Sequence, residues 1–500
     1  MSADPADILA ALQQARAAIR NGNQPVAAAA FAHAESLAPD NLALLAEYAG
    51  FAERCKQWER AARLLQRIGQ LKPDADFEGK LGYCLFRLAR YAEAIPLLTT
   101  ALSRAPADAG LALTLALSLL KELRWEEALA LAGPLMARER HEVVVELVIN
   151  CLYNLGRNAE LDALLNDALR DFPDNPLILA LCGFHLLKSG DYARGFDFLP
   201  AIRRRYEAGK PDMKQPPLAG WDGRRFDGML LLNGEQGLGE EILCASMFTE
   251  LEKLGQPATI SCDPRLIALF SRSFPSLHFV SRYDGSLARI EAGGIRSYRF
   301  NALDLACLYR RAPYQQAQPW LRADRERVAE LAARYRLRAP GKRLIGLSWR
   351  TGREVASAPR SIRLIELEPL LRLPDTQWFN VQYGDYSRDI GEAAACNIPV
   401  PWDDLSIDQT QDIDGLAAQL CAFDALVSIS NTTVHLAGAL GVTSHLMLPK
   451  SRPVMWYWGY AGERSPWYPS VTIHRNARED GWRELPASLA AELGKSAVIR

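Results

Sequence analysis

The sequence predicts an α-solenoid of helical repeats followed by an α/β region of two successive parallel-sheet halves. Three observations carry that expectation. Through the first two hundred residues, alanines, aromatics and prolines recur every 33 or 34 positions. Residues 203–228, RRRYEAGKPDMKQPPLAGWDGRRFDG, break the pattern with glycine, proline and charge. Beyond them, short apolar runs alternate with helical segments, the signature of β-α-β crossovers.

The repeat is read from several independent marks. Alanines stand at Ala27, Ala61, Ala94 and Ala128, and prolines at Pro39, Pro73, Pro106 and Pro173, with Arg140 where one proline is missing. Aromatics precede the alanines at Trp58, Tyr91 and Trp125, with Tyr192 in register later. Gly82 and Gly183 share an earlier position where two helices can approach closely. Six helix–turn–helix units follow, at about 8–39, 42–73, 75–106, 109–140, 142–173 and 176–206. With the large apolar positions Phe31, Leu65 and Leu98, the pattern resembles the tetratricopeptide repeat (TPR). One helix pair cannot bury its apolar face alone, so units stack and present an extended groove. A groove of this kind suits a polypeptide partner; a spacer that only holds the next domain is the plainer alternative.

The predicted domains are therefore a repeat region at 1–206, a linker at 207–228, and α/β halves at 229–330 and 331–500. In the first half, MLLLNG (229–234), PATISCD (257–263) and LHFVS (277–281) read as strands, with helices near 240–254 and 264–273. In the second, strands are expected at LIGLSW (344–349), WFNVQYG (378–384), ALVSIS (425–430) and SHLMLP (444–449). Helices are expected near 365–373, 386–396, 414–423, 434–440 and 482–493.

Composition bounds the function. A hydrophobic share of 49% and a charged share of 23% are those of a globular protein. The net charge of −1 lacks the basic excess of a nucleic-acid partner. MSADPADILA has no basic, apolar leader, and the longest apolar stretch, Leu111 to Leu120, is half of the ~20 residues a bilayer span needs. Nine scattered cysteines without C-x-x-C fit the reduced thiols of a cytoplasmic protein, and no histidine–cysteine spacing supports a metal site.

Two turns at strand ends carry the candidate chemistry, because ligands of open parallel sheets bind beyond the strands' carboxyl ends. The first is NGEQGLGEE (233–241). Gly234, Gly237 and Gly239 allow a tight turn and close approach to a ligand, while the turn lacks a Walker lysine. Glu235, Glu240 and Glu241 would repel a phosphate and suit a general base, capping of the helix being the plainer role. The second is LVSISNTTVHLAGALG (426–441). A helix beginning at Val434 would leave amide donors free beside Ser430, Asn431, Thr432 and Thr433, a neutral cradle for phosphate, with His435 in the first turn. SWRTGREVASAPRSI (348–362) adds Arg350, Arg353 and Arg360 to neutralise a leaving phosphate. Asp412-Ile413-Asp414 opens a helix, so capping explains it better than metal binding.

Taken in order, GEQGLGEE, LSWRTG, NVQYGD, SNTTVHLAGALG and SPWYPS resemble a GT-B glycosyltransferase of two Rossmann-like halves, closest to the heptosyltransferase-like domains that follow TPR repeats in bacteria. The resemblance covers about 220–495. It implies metal-independent, inverting transfer from a nucleotide-sugar, with no further cofactor. The donor phosphates would lie at Ser430 to Thr433, and an acid of the glycine-rich turn would be the base. The family usually has aspartate after G-L-G; here Glu240 stands there, a longer arm. Where many relatives begin the anion turn with aspartate, this chain has Ser430-Asn431, one negative charge fewer.

Proteins of this two-part plan also resemble bacterial flagellin glycosyltransferases, which use nonulosonic acids in their CMP form, and more distantly the eukaryotic O-linked N-acetylglucosamine transferase. The resemblance therefore implies a protein acceptor, flagellin first, held by the repeats and modified at Ser or Thr. Gln382 and Tyr383 would contact the nucleotide, and Trp467 and Tyr468 would line the sugar side or pack the domain junction. Two competing expectations are a non-catalytic adaptor with a decayed nucleotide domain, and an enzyme acting on lipopolysaccharide.

Overall fold

The computed structural model describes residues 5–73, 76–207, 220–235, 237–311, 318–352, 361–449, 454–476, 482 and 484–495. The chain is a helical-repeat region followed by a parallel-sheet α/β region, and it divides into two compact units, Met1–Phe172 and Pro173–Arg500.

Among the described residues the first unit holds five helix pairs: Pro5–Arg20 with Gln24–Leu37, Leu42–Arg54 with Trp58–Leu71, Glu78–Arg87 with Tyr91–Arg104, Ala109–Lys121 with Trp125–Arg138, and Glu142–Leu155 with Asn158–Asp171. The periodic alanines at 27, 61, 94 and 128 are fully buried, as are Phe31 and Leu98. A small residue there lets paired helices approach. Gly82 is needed for the same reason: a Cβ at that position would lie 2.7 Å from Leu98. Each pair turns through one residue in the left-handed region: Gly22, Lys56, Ala89, Leu123 and Gly156. These positions are again 33 or 34 apart, so the repeat is written in backbone geometry as well as in side chains. Several helices are capped at the start by an Asx side chain. Asn41 accepts from Leu44 N at 3.1 Å and Asp108 from Leu111 N at 3.0 Å.

The second unit begins one helix pair earlier than composition suggests. Helix Pro176–Ser189, the short turn Tyr192–Gly195 and helix Leu199–Glu207 follow the repeat pattern, with Gly190 at the left-handed position. Their partners, however, are in the α/β region. Tyr192 packs edge-on against Trp467, and Phe196 against Trp456. His185 Nδ1 lies 2.8 Å from the Tyr460 hydroxyl, the Lys188 carbonyl accepts from Tyr460 N at 3.1 Å, and Arg203 pairs with buried Asp304.

Among the described residues two sheets make the α/β region, and their strands pair with one another in parallel throughout, with one isolated antiparallel bridge from Arg464 to Thr472. The first, β1 (Met229–Asn233), β2 (Ala258–Cys262), β3 (His278–Ser281) and β4 (Ser297–Asn301), has the order β3-β2-β1-β4. The second, β5 (Arg343–Ser348), β6 (Thr376–Asn380), β7 (Ala425–Ile429), β8 (Ser444–Leu448) and β9 (Val471–Arg475), has the order β6-β5-β7-β8-β9. A parallel bridge from Phe379 to Trp402 continues it beyond β6. Strands β4 and β9 lie outside the sequence expectation. SYRFN and VTIHR are short and half-polar, because a face of each is only partly covered.

Two helix expectations change. The helix expected near 240–254 is split into Leu238–Ala245 and Phe248–Leu254. Between them Arg310, fully buried, donates to the Ser246 carbonyl at 3.1 Å. The helix expected at Val434 begins at Thr432, because Asn431 is its cap. Among the described residues no helix is long and apolar enough to cross a membrane.

Removing the helices at 176–207 would expose the large side chains they cover, each worth roughly 1.5–3 kcal/mol, a sum comparable with the whole stability of a domain. A fragment of residues 173–500 is therefore expected to unfold cooperatively in urea. A fragment beginning at residue 208 is expected to be protease-sensitive and aggregating, as limited proteolysis would read.

Candidate functional site

A doubly wound sheet opens a crevice where the strand order reverses. Those points fall between β1 and β4 in the first sheet and between β5 and β7 in the second. The glycine-rich turn leaves β1, and the Ser430–Thr433 turn leaves β7, so each stands at the switch point of its own sheet.

At the second switch point the strand ends are tied by a buried polar hub. Gln382 Oε1 accepts from the amides of Trp349 (2.9 Å) and Arg350 (2.8 Å) and from Ser348 Oγ (3.1 Å). Its Nε2 donates to the carbonyls of Arg350 (3.1 Å) and Tyr383 (2.9 Å). Gln382 is thus a latch between β5 and β6, its amide committed within the chain. Asn431 Nδ2 donates to Ser348 Oγ at 2.7 Å and joins β7 to the same hub. Its Oδ1 caps the helix Thr432–Leu440 by accepting from Thr433 N (3.1 Å) and Val434 N (3.4 Å). Ser430 Oγ accepts from Trp458 Nε1 at 2.8 Å. Thr433 Oγ1 is buried with no hydrogen-bond partner, and Thr432 is half-exposed at the helix start. Arg350 is held aside: it donates to Asp389 Oδ2 at 3.1 Å and to the Asp385 carbonyl at 2.9 Å. Tyr383 stands beside Gly352, half-buried. Arg353 and Arg360 lie outside the described residues.

At the first switch point the three glutamates have different surroundings. Glu241 is buried, pairs with Arg282, and accepts from Asp263 N at 3.0 Å, so it ties the turn to the end of β2. Glu235 is buried and accepts from Leu303 N at 2.9 Å, which ties β1 to the turn after β4. Burial pushes its carboxyl up to about 7. Glu240 sits in the first turn of the helix Leu238–Ala245, half-buried, and burial raises its carboxyl as well. Gly237 precedes that helix, its carbonyl accepting from Glu240 N (3.1 Å) and Glu241 N (3.0 Å).

The two turns meet. A Cβ on Gly239 would lie 2.8 Å from the His435 ring, so the helices Leu238–Ala245 and Thr432–Leu440 touch near their starts. Trp320 spans both: its Nε1 donates to the Ile242 carbonyl at 3.1 Å, its backbone amide to the Ala439 carbonyl at 3.0 Å. His435 is buried among Tyr457, Trp458 and Tyr468, with Nδ1 2.6 Å from the Tyr468 hydroxyl. Burial holds its pKa down to about 3, so it is an uncharged packing residue and brings no positive charge to an anion. Trp467 and Tyr468 are likewise fully buried in this aromatic layer. Asp412 caps its helix through Gly415 N (2.8 Å) and pairs with Arg327, while Asp414 pairs with Arg272.

Each unit has an opening of its own. A polar cavity of about 200 Å³ lies beyond β6, lined by Tyr383, Tyr386, Asp403, Leu405, Asp408 and Gln409 among others. In the repeat unit, an apolar cavity of about 340 Å³ is lined by Leu42, Ala46, Gly50, Phe77 and Lys80, and by Glu53, whose Oε1 is buried without a partner.

No family model matches the chain. It is 29% identical to Protein FlbA of Caulobacter vibrioides, over 93% of this chain and 80% of that one. Among solved structures, MamA (41-end) from Desulfovibrio magneticus RS-1 is 13% identical, with a TM-score of 0.31, covering 35% of this chain and 99% of its own. YrrB, a TPR protein with an unusual peptide-binding site, is 16% identical at a TM-score of 0.31, covering 34% and 88%. A tetratricopeptide repeat protein from Parabacteroides merdae ATCC 43184 is 12% identical at 0.34, covering 41% and 81%. Scores this low carry no functional argument.

Sequence reasoning did not find Trp458, Arg282, Leu303 or Trp320. None belongs to a local motif; each acts across elements distant in the chain.

Two outcomes follow from this geometry. Gly239→Ala drives a methyl into the His435 ring, and a melt should show a loss of about 1–3 kcal/mol. Glu235 ionises near 4.5 when unfolded and near 7 when folded. Its contribution to stability is therefore full below pH 4.5 and is lost as pH rises through 7, a fall of about 3 kcal/mol. Glu235→Gln should flatten that part of the urea stability–pH profile.

Proposed function

We propose that this chain is an inverting, metal-independent glycosyltransferase that moves a sugar from a nucleotide-sugar to Ser or Thr of a protein held by the repeats. The observation that carries the reading is the approach of Gly239 to His435. It puts a glutamate-bearing turn of one sheet beside a helix start of the other, each at its switch point. On this reading the glutamate-bearing turn supplies the base and the helix start holds the anion.

Of the three glutamates, Glu240 is assigned as base. Glu241 is taken by Arg282, and Glu235 is enclosed and bonded to Leu303 N. Glu240 keeps an exposed edge, and burial of the rest raises its proton affinity, which suits acceptance of a proton. The donor's phosphate lies at the first turn of the Thr432–Leu440 helix, met by Thr432, Thr433 and the positive end of the helix dipole. Its base occupies the polar cavity beyond β6. The ends of β6 and β7 are two strand spacings apart, roughly 10 Å, a span a nucleotide covers. The acceptor oxygen attacks the anomeric carbon as its proton passes to Glu240. The bond to the donor phosphate breaks, and the charge on the leaving oxygen is met by groups already oriented.

Similarity to a protein named FlbA supports a flagellum-associated role. The resemblance to flagellin glycosyltransferases makes flagellin the first acceptor to test and a CMP-linked nonulosonic acid the first donor. The reaction would take place in the cytoplasm. The repeat-unit cavity, with an unpaired carboxylate oxygen, suits an acceptor segment that brings an apolar side chain and a donor.

The test is intact-mass spectrometry of flagellin produced with and without this chain. A sugar-sized mass increase is expected. Glu240→Gln should slow its appearance by about 10²–10⁴-fold, and Thr432→Val with Thr433→Val should abolish it. CMP, UDP or ADP should raise the Tm of the wild-type chain. No added mass and no nucleotide shift would leave the adaptor reading standing; transfer to lipopolysaccharide alone would replace the acceptor.

A further inference from the structure

We propose that Asp403 selects the nucleotide: the cavity beyond β6 takes a base that carries an exocyclic amino group, cytosine or adenine, and rejects uracil. The inference rests on the transferase reading, which puts the donor's base in that cavity. It goes further by assigning the class of base and the residue that reads it.

The cavity, about 200 Å³, presents hydrogen-bond acceptors to a ligand. Asp403, Asp404 and Asp408 line it, and among the described residues its lining has no Lys, Arg or His. Such a wall repels phosphate. A nucleotide therefore lies with its base in the cavity and its phosphate at the start of the Thr432–Leu440 helix, the positive end of that dipole. Tyr383 and Tyr386 put aromatic carbon on the wall. Every base has a face to stack on such a ring, so selection falls to the polar edge.

The aspartates differ in what they have left to offer. Asp404 is committed within the chain: Oδ2 accepts from the Tyr335 hydroxyl at 2.5 Å and pairs with Arg334, and Oδ1 accepts from Ser406 Oγ at 2.7 Å. Asp408 is exposed, and its Oδ1 shapes its own loop by accepting from Thr410 N (2.8 Å) and Gln411 N (3.0 Å). Asp403 is half-buried and held in place. Its Oδ1 accepts from Asn380 Nδ2 at 2.5 Å and from the Tyr386 hydroxyl at 3.2 Å. Asn380, buried at the end of β6, is fixed in turn by accepting from Gln382 N at 2.9 Å. These bonds orient the Asp403 carboxylate and leave Oδ2, which accepts no hydrogen bond among the described residues. Gln409 donates through Nε2 to the Asn380 carbonyl at 3.3 Å and keeps its amide oxygen as a second acceptor. Two acceptors suit the two hydrogens of one amino group. Cytosine N4 and adenine N6 are such donors. Uracil sets a carbonyl oxygen on either side of its one ring N–H, and O4 beside a carboxylate is repelled. A hard cation gathers about six or more oxygens. With Asp404 committed, and one oxygen each of Asp403 and Asp408 already bonded, the cavity falls short of that set.

The test is titration calorimetry of the full chain with matched pairs in which an oxygen replaces the amino group: CMP against UMP, and ADP against IDP. Whichever pair binds should favour its amino member by roughly tenfold or more. Asp403→Asn keeps an oxygen for Asn380 and Tyr386 and turns an NH₂ to the cavity, so the ratio should fall toward one as the oxo member gains. Equal affinities within a binding pair, a preference for UMP or IDP, or a ratio unchanged in Asp403→Asn would overturn the inference and leave the transferase reading standing. Binding of none of the four would overturn both. The wild-type comparison decides the matter even if the variant does not fold.

Discussion

The packing of the Leu238–Ala245 helix on the Thr432–Leu440 helix is the contact on which the proposed chemistry depends. Each helix begins at the carboxyl end of a central strand, β1 or β7, and turns the positive end of its dipole toward the other. Bringing the two starts together leaves no room for a side chain at 239, which is why glycine stands against the His435 ring. Burial raises the proton affinity of both Glu235 and Glu240 and keeps His435 neutral.

The turns are held by groups that do no chemistry themselves. Gln382 and Asn431 use their amides to join the ends of β5, β6 and β7, and Trp458 holds Ser430. Such a network fixes a site well only when its members are satisfied, and here the hub amides are. The aromatic layer under it, with Trp456, Trp458, Trp467 and Tyr468, is covered by Tyr192 and Phe196 from the helices that continue the repeat pattern. Those helices belong by sequence to the repeats and by packing to the α/β region. Arg203 extends the theme, pairing with Asp304 beside the turn that holds Glu235.

The sequence made the periodic features legible. Buried Ala27, Ala61, Ala94 and Ala128 announce the helix pairs, because close helix packing requires a small residue at a fixed spacing. The left-handed turn residue is hidden at Lys56, Ala89 and Leu123, where packing imposes a conformation glycine takes freely at 22 and 156. Core strands such as β1 and β7 show as apolar runs; β4 and β9 do not, being half-covered. At the site, the two turns were visible as local motifs and the resemblance set them at one cleft, but the contact between Gly239 and His435 was not legible. What Gln382, Arg350 and His435 do depends on partners far along the chain, so residue type alone suggested ligand contacts where the structure has internal bonds.

The most direct test is a crystal structure of the chain soaked with a nucleoside diphosphate. The account predicts phosphate oxygens within about 3 Å of the Thr432 amide or of the hydroxyls of Thr432 and Thr433, with Glu240 facing the open side of the same pocket. Nucleotide bound elsewhere, or a phosphate site from which the Glu240 carboxylate is screened by protein, would contradict it.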